Sequence, residues 1–110
     1  MAEPSPHEVL FMQLVAMFQF AAMQQMGKLP NPATGKIERD LEQARLSIDM
    51  VEMLQARTAA SRSARETEFV DKVLFELRMN YIDESKRAAA ERPGEATKPA
   101  DSPPGDAGGG

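Results

Sequence analysis

The run Ala33-Thr34-Gly35-Lys36 is the stretch of this chain closest in type to a phosphate-binding loop. In such a loop backbone amides cradle phosphate oxygens while the lysine reaches over them. The pattern requires four residues between its first glycine and the Gly-Lys pair, then Ser or Thr, all after a strand. Here seven residues separate Gly27 from Gly35, and Ile37 follows Lys36. The run therefore reads as a helix-to-helix turn. Glu38, Glu42, Asp49 and Glu52 recur at helical spacing and could in principle hold a metal. A helical carboxylate site also needs Glu-x-x-His pairs. His7 is the single histidine, far from the series, and Arg45 sits inside the same stripe. A solvated charged face accounts for these residues, and no metal or other cofactor is expected. The chain has no cysteine, and no serine stands at a recognised spacing from His7. No catalytic residues are assigned, and a non-enzymatic protein is expected.

The elements that would position any site come from hydrophobic period and helix punctuation. "SPHE" supplies an N-cap (Ser5), a proline at the first helical position (Pro6) and a capping-box glutamate (Glu8). Gly27 is the natural left-handed terminator of that helix. "KLPNPATGK" is a turn-rich connection, and "SARE" opens a third helix with Ser63 and Glu66 as a second capping box. No segment alternates with period two. The expected fold is all-α, with helices over about 6–26, 37–58 and 63–90. The expected organisation is a flexible N-terminus (1–5), a helical domain (6–92) and a disordered acidic tail (93–110). Nine of the eighteen residues from Pro93 onward are Pro or Gly, and the tail's only aliphatic side chains are alanines. Such a segment lacks the apolar surface that would offset the entropy of ordering it.

Placed on helical wheels, Ile37, Leu41, Ala44, Ile48 and Val51 form one apolar stripe of the second helix, with Leu46, Met50, Met53 and Leu54 almost opposite. The third helix pairs a stripe of Val70, Val73, Leu74, Leu77 and Tyr81 with Phe75, Met79 and Ile82 on its other side. The first helix has no charged residue from Val9 to Met26, and its glutamines are scattered round the wheel. A surface helix ordinarily has one apolar face. Three helices packed together cannot hide this surplus, so a homo-oligomer is expected. Phe11, Val15, Phe18, Ala22, Met50, Met53, Phe75, Met79 and Ile82 are the candidate residues for the contact between chains.

The alternative use of the first helix is a peripheral membrane or hydrophobic-ligand surface, with Met12, Met17, Met23 and Met26 beside Phe11, Phe18 and Phe20. A lipid-facing helix of that kind usually has a Lys/Arg-rich rim, which the sequence does not supply. A bilayer span is disfavoured because Gln13, Gln19, Gln24 and Gln25 would need partners in lipid. The N-terminal "MAEPSPHE" is acidic, unlike the basic start of a secretory signal. Between residues 28 and 92 twelve acids balance twelve bases, and the net charge of −4 comes from the two ends. With no basic face, nucleic-acid binding is not expected. The absence of cysteine suits a reducing compartment, and a cytoplasmic location is expected.

"PNPATGK", "DLEQARLSIDMVEMLQART" and "ETEFVDKVLFELRMNYI" with its Leu77-Arg78 pair, together with the "LV" pair and Gly27 of the first helix, resemble a bacterial family, domain of unknown function 1844. The likeness runs from about Phe11 to Asp83. It implies a small, mostly helical protein without an assigned activity, and it brings no catalytic or binding residues. The loop "RTAASRS" departs from the Lys-Thr-x-Gly-Asn-Leu-like run frequent there.

Overall fold

The structure, a computed structural model, describes residues 3–91. The expected acidic tail lies outside the described residues, as do Met1 and Ala2. Three helices account for the architecture: α1 (Pro6–Gln25), α2 (Leu41–Arg57) and α3 (Ala64–Glu91). No strand occurs among the described residues.

The local punctuation works as its chemistry dictates. The Ser5 hydroxyl accepts from the Glu8 amide, and the Glu8 carboxylate accepts from the Ser5 amide. Ser63 and Glu66 form the same reciprocal pair at the head of α3. These contacts satisfy amides that have no partner within the helix. At the end of α1 the Lys28 amide donates to the Met23 carbonyl and the Gly27 amide to the Gln24 carbonyl, a Schellman closure. Gly27 adopts φ +86°, and a Cβ there would lie 3.5 Å from the Glu38 carbonyl oxygen. Glycine suits both the backbone angle and the close approach.

The second helix starts at Leu41, later than residue 37. Asp40 is its N-cap and accepts from the Gln43 amide, while the Asp40 amide donates to the Gln25 carbonyl at 2.7 Å. Those bonds hold Asp40 itself in an extended conformation, so the helix begins only after it. Ile37 consequently lies outside the helix and is exposed rather than part of the apolar stripe.

Each helix packs against both others. Val15, Ala22 and Met26 of the α1 region meet Ala44, Ile48 and Val51 of α2 and Val70, Val73, Leu74 and Leu77 of α3 in one core. Phe11, Phe18, Met23, Leu41, Leu54, Phe69 and Tyr81 pack around it, half-buried. Each fully buried Val, Leu or Ile contributes about 1.5–3 kcal/mol through removal of apolar area from water. Polar contacts set the register. Glu8–Arg65, Gln19–Glu76 and Lys28–Asp83 align α1 parallel to α3. Gln55–Asp71 and Glu52–Arg78 align α2 antiparallel to α3. The Gln25 amide meets the Ser47 hydroxyl at 2.7 Å, filling the polar need of the α1–α2 seam.

Candidate interaction surface

The residues with chemistry in their types are spent on the fold. The 31–36 turn closes on itself: the Ala33 amide donates to the Asn31 side chain, the Thr34 and Gly35 amides to the Asn31 carbonyl, and the Lys36 amide to the Thr34 hydroxyl. Glu38 then accepts from the Asn31 amide group and the Thr34 hydroxyl. With its amides already paired and a carboxylate against it, this turn offers an anion nothing. Arg45 and Asp49 form the helix-surface pair expected of the α2 charged stripe, at 3.1 Å. His7 stands exposed in the first turn of α1. Among the described residues no group of His, Asp or Glu is placed to hold a metal ion.

The densest charge cluster fastens the connection between α1 and α2 to the end of α3. Glu84, 4% exposed, lies 2.9 Å from both Lys28 Nζ and an Arg39 nitrogen. Lys28 also reaches Asp83 at 2.6 Å, and Arg39 reaches Glu91 at 2.7 Å. Burial works against ionisation of Glu84, but hydrogen bonds from Lys28 and Arg39 outweigh it and hold its carboxyl below the ordinary range. The Lys28 bond lowers Asp83 and the Arg39 bond lowers Glu91, while Asp83 and Glu84 together raise Lys28. This cluster is a structural latch.

What remains without a role inside the chain is apolar surface. Of the candidate contact residues, Val15 and Ala22 have no accessible area, so they cannot touch a second chain without unfolding this one. Their place in the contact is corrected to the chain's own core. Phe11 and Phe18 lean the same way, half-buried against that core. Met50, Met53, Phe75, Met79 and Ile82 do face outward. On α2 they are interleaved with exposed Glu42, Asp49 and Arg57, and on α3 with exposed Asp71, Lys72 and Arg78.

The outward side of α1 differs. Leu10 (59% exposed), Met17 (67%) and Phe20 (49%) stand on it with Gln13, flanked by Val9 and Leu14. No charged residue of α1 interrupts this face, and Arg65 of α3 stands at its N-terminal edge. Two shallow depressions run end to end along it. One, of about 510 Å³, is lined by Gln13, Ala16, Met17 and Phe20. The other, of about 330 Å³, lies toward the N-terminus between α1 and α3 and is lined by Pro4, Val9, Met12, Gln13, Ala16, Arg65 and Phe69. Leu10, Met17 and Phe20 are absent from the residues expected at the contact between chains, and only Met17 and Phe20 are named for the alternative ligand surface, because a helix apolar all round gives no phase. The available signal was the spacing of Pro6, Leu10, Gln13, Met17, Phe20 and Gln24, which alternates four and three.

No helix among the described residues is long and apolar enough to cross a membrane. No curated protein and no solved structure matches the chain. A family model does, over residues 8–83, a span that takes in α1, α2 and most of α3. The chain therefore belongs to the family described as Domain of unknown function (DUF1844).

Proposed function

We propose that this protein is a cytoplasmic, non-enzymatic helical module that acts through self-association, with the outward side of α1 as its contact surface. One observation carries the reading: α1 exposes Leu10, Met17 and Phe20 on a side without a single charge. Isolated exposed apolar side chains are ordinary, whereas a contiguous uncharged patch marks an interaction site. The exposed apolar residues of α2 and α3 lie among charges and are suited to solvent.

Light scattering on a size-exclusion column tests this. The natural chain at micromolar concentration is expected to show at least twice its 12.1 kDa mass. Met17→Glu is expected to show a single-copy mass with unchanged helicity, since Met17 is the most exposed large apolar residue of α1. A single-copy mass for the natural chain removes the reading. If that single copy also floats with phosphatidylcholine vesicles, the surface belongs to lipid instead.

A further inference from the structure

We propose that two copies pair through α1 in antiparallel fashion, with Phe20 of each seated in the N-terminal depression of the other. This deepens the self-association reading and rests on it. Leu10, Gln13, Met17 and Phe20 lie on one line along the outward side of α1, at the alternating spacing that lets two helices interlock. The line is asymmetric along its length. The large exposed ring, Phe20, is near the C-terminal end, while the unfilled depression beside Val9, Met12, Phe69 and Arg65 is near the N-terminal end.

A parallel pair stacks Phe20 on its own copy and leaves both depressions empty. An antiparallel pair centred near Val15, with residue numbers of facing positions adding to about 30, brings Phe20 to the level of Leu10 and Val9. It also sets Gln13 opposite Met17. Both rings then fill both depressions at once, as a twofold contact requires. Near the twofold axis, where like residues come closest, Gln13 and Met17 carry no charge to repel. Antiparallel helix dipoles favour the same orientation.

The area suffices. Leu10, Met17 and Phe20 with Val9 and Leu14 offer on the order of 500 Å² per copy, so a pair buries about 1,000 Å², where specific interfaces begin.

The chain has no natural cysteine, so single-cysteine variants report the arrangement directly. Pro6 and Gln24 occupy the two ends of the line, and Pro6→Cys and Gln24→Cys are prepared separately, oxidised alone, and oxidised after mixing and re-equilibration. Antiparallel pairing predicts a disulfide-linked dimer only in the mixture, because facing Cα atoms come within disulfide reach while the two copies of residue 6 lie roughly 27 Å apart. Dimers from each variant alone indicate a parallel pair and overturn this arrangement. A double mass by light scattering with no disulfide in any sample places the contact elsewhere, and also overturns it. A single-copy mass removes self-association itself, so the two failures are distinguishable. Without crosslinking, Phe20→Ala is expected to raise the dimer dissociation constant by about 30-fold or more, as loss of a pocket-seated aromatic anchor does. Phe75→Ala, on α3, is expected to leave it unchanged, and equal effects of the two substitutions would contradict the seat.

Discussion

Leu74→Ala is expected to remove about 3 kcal/mol of folding stability. Leu74 has no accessible surface and belongs to the core that α1, α2 and α3 share. Deleting its isopropyl end loses the transfer free energy of the buried carbons and leaves a cavity that the surrounding helices close only in part. A folded unit of this size has a total stability of about 4–13 kcal/mol, so the loss is a large share of it. Urea unfolding followed by circular dichroism measures the change, and Leu74→Met, which keeps volume, should cost under about 1.5 kcal/mol. Both measurements are made at one protein concentration, because association adds to apparent stability by mass action. Equal stability of the natural chain and Leu74→Ala would mean that the helices do not meet at this residue.

The latch at the end of α3 gives the second large effect. Glu84→Gln keeps the shape but removes the charge that Lys28 and Arg39 face at 2.9 Å. Breaking a fully buried pair costs about 3–5 kcal/mol. Lys28 and Arg39 are 22% and 27% exposed, and they retain Asp83 and Glu91 as partners. The expected loss is therefore smaller, about 2 kcal/mol. The same cluster sets a pH dependence whose sign is fixed. Glu84, Asp83 and Glu91 have lowered values in the folded chain, so their contribution is complete above the ordinary carboxylate range and disappears as pH falls through the folded values. Lys28 is raised, so its contribution is complete below the ordinary lysine value and disappears as pH rises through the folded one. Stability of the natural chain should fall between about pH 6 and about pH 3, and Glu84→Gln should flatten part of that fall. An identical acid profile for the two proteins would show that the latch is not ionic.

Much of this fold is written in local chemistry. The capping boxes at Ser5 and Ser63 and the terminator at Gly27 each involve residues within a few positions of one another, so the sequence alone reveals them. The core sides of α2 and α3 are equally legible, since Arg45, Asp49, Asp71 and Arg78 mark where water must be. Two features depend on distant partners and are not legible in this way. The start of α2 is delayed because the Asp40 amide bonds to Gln25 and Arg39 is drawn to Glu84 and Glu91 on α3, contacts invisible in "GKIERD". The phase of α1 is hidden because Val15 and Ala22, which it buries, differ little in kind from Leu10 and Met17, which it exposes. Its glutamines hold the clue only once their partners are known. Gln19 and Gln25 reach Glu76 and Ser47 within the chain, whereas Gln13 stands on the outward side.

Self-association through α1 covers its outward side in solution, and methionine oxidation footprinting reads that coverage at single residues. Within one chain Met17 is 67% exposed, Met53 on α2 is 45% exposed and Met26 is fully buried. At micromolar concentration Met17 is expected to oxidise more slowly than Met53, and dilution to single copies is expected to reverse this order while Met26 stays protected. Faster oxidation of Met17 than of Met53 at every concentration would contradict it.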